Sequence, residues 1–317
     1  MCGLEDEGVR RCGKQRSTRV KDVATVLLEV GRTSTHLADY AALTKPRLNF
    51  LVGATSAAGY YLGAPGGPGL WPMVPAVAGT VLVAGAAAVL NQVYERDTDA
   101  LMRRTQTRPL PDGRVPLADA RIFGLALAAC GLALLAAYAN LLAASLAAAS
   151  LVIYLVVYTP LKRRSSFATL VGAVPGALPP LIGWTAAHGS VSMGGAALFA
   201  IVFLWQIPHF MAIAWLYRED YRKAGFPMLP VIEPDGRRTG RQAVTYAAAL
   251  VPISLVPSAI GLSGPLYFGI ALILGLALLG LSARFAHARG DSSARALFFA
   301  SIVYLPLIWV AMILDKV

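Results

Sequence analysis

The chain reads as an all-α integral membrane protein of nine transmembrane helices, and three observations lead there. Hydrophobic residues make up 56% of its 317 residues and charged residues only 14%, whereas a soluble domain has roughly a quarter of its residues charged. Five blocks, 48–94, 122–161, 165–217, 242–283 and 296–314, contain no Lys, Arg, Asp or Glu. A helix needs about 20 apolar residues to cross the hydrocarbon core, so the first four blocks hold two spans each and the last holds one. The cations also segregate. Of 28 Lys and Arg residues, 27 fall on one side of a nine-span path and only Lys316 falls on the other. The positive-inside rule then puts the N-terminus in the cytoplasm. The net charge of +11 follows from topology and calls for no nucleic-acid partner.

Each two-span block carries its own break. The first turns at 64–69, Ala-Pro-Gly-Gly-Pro-Gly, which no helix runs through. The others turn near Asn140, at His188-Gly189-Ser190 and at Gly264-Pro265. The expected spans are 46–63, 71–93, 120–138, 141–160, 167–187, 194–217, 242–262, 266–284 and 296–314. Residues 41–317 form the membrane domain. Residues 1–40 mix basic residues with Glu5, Asp6 and Glu7 and lack a signal-type apolar core. They read as a cytoplasmic, partly disordered lead-in, with an interfacial helix over 23–39. Cys2, Cys12 and Cys130 match no metal or redox spacing, and Cys130 is expected in helix packing.

Polar residues gather at one end of these spans. The second block ends in NQVYERDTDALMRRTQTRPL, residues 91–110, which sets Asn91, Glu95 and Asp99 four residues apart. That spacing stacks side chains on one helix face about 6 Å apart. A carboxylate ridge followed by Arg103, Arg104 and Arg108 suits a Mg²⁺-bridged phosphate, because Mg²⁺ takes one or two carboxylates plus phosphate oxygens and arginine matches the phosphate fork. The spacing equally suits a solvated charged loop.

Three further clusters face the same side: Lys45-Pro46-Arg47 with Asn49; Tyr154, Tyr158 and Thr159 ahead of Lys162, Arg163 and Arg164; and Gln206, His209, Tyr217, Asp220 and Tyr221. Ionisable groups near membrane depth are costly and mark functional sites. Each cluster also has a structural reading: positive-inside anchors, an aromatic belt, a histidine bonded across the break at Pro208, a solvated helix end.

The run N-x-x-x-E-x-x-x-D followed by M-x-R-T-x-x-R-P-L, Asn91 to Leu110, resembles the UbiA superfamily of intramembrane prenyltransferases. Thr44–Arg47, Tyr158–Arg163, Trp205–Phe210 and Asp220–Pro230 extend the resemblance over roughly 40–315. Within the superfamily the chain is most similar to the heme-farnesylating branch. Members acting on small aromatic acids carry Asp at the centre of the first motif and a second spaced Asp pair after the sixth helix. Here the centre is Glu95, and the second region offers His209, Tyr217, Glu219, Asp220 and Tyr221.

The resemblance implies farnesyl diphosphate as donor and heme b as acceptor, with heme O and diphosphate as products. It implies Mg²⁺ on Asn91, Glu95 and Asp99. Lys45, Arg47, Arg103, Arg104, Arg108, Tyr158, Lys162, Arg163, His209, Asp220 and Tyr221 would bind the substrates, with His209 a candidate for heme iron. It also implies a bacterial inner-membrane location and a heme A synthase downstream. A UbiA-type enzyme acting on a quinone precursor or chlorophyllide, and a membrane transporter, are the competing readings.

Overall fold

The computed structural model describes residues 37–66 and 69–317. The lead-in up to residue 36, and with it most of the expected interfacial helix, lies outside the described residues. Residues 37–43 form a short helix that is tied to the rest of the chain by an ion pair between Asp39 and Arg114.

Among the described residues the protein is all-helical, with nine long helices. These are α1 (Pro46–Gly63), α2 (Leu70–Asp99), α3 (Leu117–Tyr138), α4 (Leu141–Leu161), α5 (Ala168–His188), α6 (Met193–Leu216), α7 (Arg237–Ala259), α8 (Pro265–Ala288) and α9 (Asp291–Leu314). Eight of them, α2 to α9, are long and apolar enough to cross a membrane. The eighteen-residue α1 has the bounds expected of a first span, but Asn49, Thr55, Ser56, Tyr60 and Tyr61 dilute its hydropathy. Its polar face is turned inward, where Asn49, Thr55 and Ser56 are buried.

The expected breaks follow from local chemistry. Asn140 caps α4 by accepting a hydrogen bond from the Ala143 amide at 2.8 Å. Gly189, with φ of 78°, closes α5 in the left-handed conformation that glycine tolerates. Helices α2, α7, α8 and α9 each run four or more residues past an expected end. Helix α2 continues from 93 to Asp99, because its terminal carboxylates find cationic partners inside the protein. Helix α7 starts at Arg237 instead of 242, since Asp235 and Glu233 accept the amides of Arg237 and Arg238 at 3.1 and 3.0 Å. Cys130 is exposed, contrary to the packing role expected of it. The buried stripe of α3 runs through Ala120, Gly124, Ala128, Gly131 and Leu135, which turns position 130 outward.

Helices α6 to α9 close around a core that includes Trp205, Trp215, Tyr267, Phe285, Tyr304 and Ile308. On the other side α1 lies against α5 with backbone touching backbone: a Cβ on Gly59 would overlap the Pro180 carbonyl, and one on Gly183 would overlap that of Ser56. Small residues permit such close crossings in membranes, where dispersion replaces the hydrophobic effect between helices. Outward positions such as Ile122, Leu125, Ile273, Phe299 and Val303 are exposed apolar side chains, as a lipid-facing surface requires. The chain is therefore an integral, multi-pass membrane protein. Between α1, α2, α4, α5 and α6 the packing leaves one large space.

Candidate functional site

That space is a cavity of about 530 Å³ bounded by α1, α2, α4, α5, α6 and the loops after α2 and α6. Its charged end is built on the last two turns of α2. Asn91, Glu95 and Asp99 all line it, although each side chain belongs to a residue at most 4% exposed. Four-residue spacing put them on one face, and the cavity is what that face looks into.

Each group of the ridge has one identified partner. Lys162, just beyond α4, donates from Nζ to both Glu95 carboxylate oxygens, at 3.1 and 3.0 Å. Burial opposes the Lys162 charge, but Glu95 outweighs it and holds the ammonium pKa above its ordinary value. Arg108 donates to Asp99 Oδ2 at 2.7 Å, and Thr105 donates to the Asp99 carbonyl at 2.7 Å, closing the loop over the helix end.

Asn91 is oriented by Thr159. The Thr159 hydroxyl spends its proton on the Tyr154 carbonyl at 2.8 Å and accepts from Asn91 Nδ2 at 3.0 Å. The amide oxygen of Asn91 is thereby left free as an acceptor on the cavity side. Thr159 reaches this position because α4 widens into a π-helical turn over Ile153–Tyr158. The extra residue in that turn brings Tyr154 and Tyr158, with ring centroids 5.1 Å apart, to the cavity wall.

Lys45 faces the ridge from the foot of α1. It sits in the left-handed region, φ 53° and ψ 64°, immediately before Pro46, a conformation that costs a non-glycine residue of order 1 kcal/mol or more. Burial, then the nearby charges of Arg108 and Lys162, bring its pKa down from 10.5 to about 8. Arg104, on the loop after α2, stacks over the rings of Tyr217 and Tyr221 at 5.3 and 4.9 Å and donates to the Tyr221 hydroxyl at 2.9 Å. It joins the loop after α2 to the loop after α6, where Met102, Tyr221, Ala224 and Phe226 form a small apolar cluster.

The charged lining consists of Lys45, Arg104, Arg108 and Lys162 against Glu95 and Asp99. Cations exceed carboxylates by two, and Arg108 and Lys162 add to burial in disfavouring the Lys45 charge. An anion with oxygens at several positions offsets that excess. Below this end the walls are apolar: Val52, Val83, Ala87, Leu151, Pro175, Pro179 and Ile182.

Ten of the expected substrate and metal residues line this one cavity: Lys45, Asn91, Glu95, Asp99, Arg104, Arg108, Tyr158, Lys162, His209 and Tyr221. Arg47, Arg103 and Arg163 are exposed and stand outside it, and half-buried Asp220 does not line it. Beyond the expected set, the cavity uses one face of α5: Gly172, Pro175, Gly176 and Pro179. Tyr158 lies where a Cβ on Gly172 would come within 2.6 Å of its ring. The signal was present as Gly and Pro repeating at 172, 175, 176 and 179 in a charge-free block.

The donor set fits Mg²⁺ in one specific way. Among the described residues no three carboxylate, imidazole or thiol groups converge. Two carboxylates and an amide line one end of the same cavity, a set that suits an ion taking its remaining oxygens from phosphate and water.

Comparison with known proteins agrees with this architecture. A profile of the UbiA prenyltransferase family matches residues 52–303. The protoheme IX farnesyltransferase of Solibacter usitatus (strain Ellin6076) is 46% identical over 287 residues, covering 88% of this chain and 98% of that protein. The protoheme IX farnesyltransferase of Myxococcus xanthus (strain DK1622) is 46% identical over 280 residues, with 88% and 95% covered. Among solved structures, one of a digeranylgeranylglyceryl phosphate synthase superposes with a TM-score of 0.76 at 18% identity, over 88% of this chain and 98% of the other. A UbiA homolog from Archaeoglobus fulgidus bound to GPP and Mg²⁺ gives 0.63 at 19% identity, over 87% and 99%. At those identities the structures speak to the fold alone. The match across most of the chain, on a helical bundle enclosing a cationic, carboxylate-ridged cavity, makes this chain a member of the UbiA prenyltransferase family.

Proposed function

We propose that the chain is a heme-farnesylating enzyme: it transfers the farnesyl group of farnesyl diphosphate to a vinyl group of heme b (protoheme IX), which with one water gives heme O and diphosphate. The observation that carries this reading is the near-full-length similarity, 46% identity, to proteins named protoheme IX farnesyltransferase. The cavity supplies the chemistry. Lys45, Arg104, Arg108 and Lys162 hold the diphosphate, and because they already face its binding place, charge growing on the leaving group meets fixed cations without reorganisation. Asn91 Oδ1, Glu95 and Asp99 are the groups that would hold Mg²⁺, which when bound supplies further positive charge to the diphosphate oxygens.

As the donor binds, Lys162 and Arg108 can turn from the carboxylates to phosphate oxygens, leaving the ridge for the metal. The apolar walls take the isoprenoid chain and keep bulk water from the allylic cation. Tyr154 and Tyr158 present ring faces to the same space. His209, on α6, belongs to the acceptor side. Arg47, Arg103 and Arg163 lie outside the cavity and act on the substrates by drawing anions such as the diphosphate or heme propionates toward its mouth.

Nine crossings with a cytoplasmic N-terminus, in a bacterial inner membrane, are the arrangement that best suits the one-sided cations. A heme A synthase as recipient of the product rests on the family resemblance alone. The reading is tested by incubating the reconstituted full chain with heme b, farnesyl diphosphate and Mg²⁺. A heavier heme and stoichiometric pyrophosphate are expected; pyrophosphate without a heme adduct would redirect the search to other acceptors, and no pyrophosphate would remove the prenyltransfer reading.

A further inference from the structure

His209 is a residue of the cavity lining whose tautomer the hydrogen bonds dictate. Its Nδ1 lies 2.8 Å from Ser301 Oγ. That hydroxyl has a single proton, and it goes to the Phe298 carbonyl at 2.6 Å, in the helix turn below. Ser301 must therefore accept from His209, which puts the imidazole proton on Nδ1 and a lone pair on Nε2. The ring cannot turn away. It is stacked between Trp205 and Phe298, with centroids 5.1 and 5.2 Å away, and Trp205 is itself pinned by donating to the Ser301 carbonyl at 2.8 Å.

The lone pair has no protein partner among the described residues and is not one of the interior's sealed, unpartnered atoms, and His209 belongs to the cavity lining. The position is seven residues, about 10 Å of rise, from the cytoplasmic end of α6. Apart from the charged end, where Lys45, Arg104, Arg108 and Lys162 face two carboxylates already held by Lys162 and Arg108, the remaining polar groups of the lining are amides, hydroxyls and phenols. None of those is a base comparable to imidazole.

We propose that His209 is a catalytic residue of the hydration step, the base that takes the proton of the water completing the product. This rests on the heme-farnesylation reading above. The farnesyl C1–O bond breaks and its electron pair leaves with diphosphate. The π pair of the heme vinyl group forms the new C–C bond to C1, leaving a cation on the vinyl carbon next to the porphyrin. A water oxygen bonds to that carbon, and one of its protons passes to His209 Nε2. The sum is farnesyl diphosphate, heme b and water giving heme O and diphosphate, the released proton finally balancing the diphosphate charge. The imidazolium formed in passing lies between two aromatic faces that favour a cation, with its Nδ1–H already paired. Without a base beside the cation, loss of a neighbouring proton competes with hydration and yields an alkene product one water lighter.

The test is the partition of products in reconstituted full-length protein given heme b, farnesyl diphosphate and Mg²⁺. His209→Gln keeps a polar group of similar reach but no base. We expect pyrophosphate release to continue while the ratio of hydrated to water-lighter heme product falls by about tenfold or more, the scale of a lost general base. Ser301→Ala leaves the imidazole in place with its tautomer free, and should move the same ratio by a few-fold. A ratio is read per turnover, so a poorly folding His209→Gln leaves Ser301→Ala to decide on the same scale. An unchanged ratio in both overturns the proposal. So does loss of pyrophosphate release in folded His209→Gln, which would put the histidine before ionisation. Wild-type protein that forms no heme adduct instead overturns the underlying function.

Discussion

At the cavity end of the bundle, Glu95 and Asp99 are held by side chains, Lys162 and Arg108. At the opposite end, where α1 and α9 finish and α8 begins, Asp315 and Lys316 are held by backbone. Asp315 Oδ2 accepts from the Tyr267 amide at 2.7 Å, capping α8, and the Asp315 carbonyl accepts from Gly264. Lys316 Nζ donates to the carbonyls of Tyr61 and Ala64 at 2.7 and 3.0 Å, and lies over the Tyr61 ring at 4.9 Å. Both ends satisfy costly charges in or near a membrane, but a helix-end carbonyl cannot leave, whereas a lysine can rotate to a better anion. Charge bound to backbone is structure. Charge bound to charge beside an open space is capacity for a ligand.

Several substitutions would break or sharpen this contrast, and the largest concerns the buried pair. Lys162→Met strands Glu95, whose side chain is 3% exposed, and should cost about 3 kcal/mol of stability, since a buried carboxylate without its partner keeps its full desolvation penalty. The double change Glu95→Gln with Lys162→Met should recover most of that loss; thermal denaturation of the wild type and the two variants measures it. If the double variant is no better than the single, the pair is not where the energy lies.

Next come Glu95→Gln and Asp99→Asn, for which turnover should fall by about 100-fold or more while the protein stays folded in the membrane, because groups poised for the leaving diphosphate carry that scale of effect. Pyrophosphate release is the readout, and near-normal rates in either would remove the ridge from the chemistry. At the far end, Asp315→Asn should cost only about 1 kcal/mol, the worth of making one charged hydrogen bond neutral, and leave turnover per folded molecule unchanged. An equal loss of activity there would erase the distinction between the two ends.

The smallest effect is a pH dependence. With Lys45 brought down to about 8 by burial and its cationic neighbours, the empty site loses a positive charge as pH rises through 8. Diphosphate favours the charged form, so KM for the prenyl donor should climb by a few-fold above pH 8, and Lys45→Arg should flatten the curve. The linkage has the opposite sign for the empty fold: between about 8 and 10.5 the unfolded chain binds more protons than the folded one, so this group's contribution to stability rises with pH.

How much could be read beforehand differs residue by residue. The Asn91–Glu95–Asp99 ridge was legible because helix periodicity alone puts these groups on one face. The nine helices were legible because charge-free blocks and Pro- or Gly-marked turns are local facts, and α1 alone among them lacks the apolar content that would declare it a span. Arg47, Arg103 and Arg163 look no different in sequence from Arg104 and Arg108, yet only the latter two line the cavity. Nothing local separates them, since the loop after α2 decides which guanidinium folds back over the helix end. The π-helical turn before Thr159 and the Gly and Pro face of α5 were equally hidden, because each has meaning only against a neighbouring helix.

The amino-acid order alone determined that this chain lies in a membrane, where it turns, and which end collects its polar groups, because apolar length, turn chemistry and helical period are short-range properties. Only the tertiary structure decided which lysine meets Glu95, which way the Asn91 amide and the His209 proton point, and that an exposed cysteine and three arginines stand apart from the site. Those outcomes depend on contacts between helices distant in the chain, such as Lys162 with Glu95 and Ser301 with His209, and a hydrogen bond has a direction that no spacing of residues encodes.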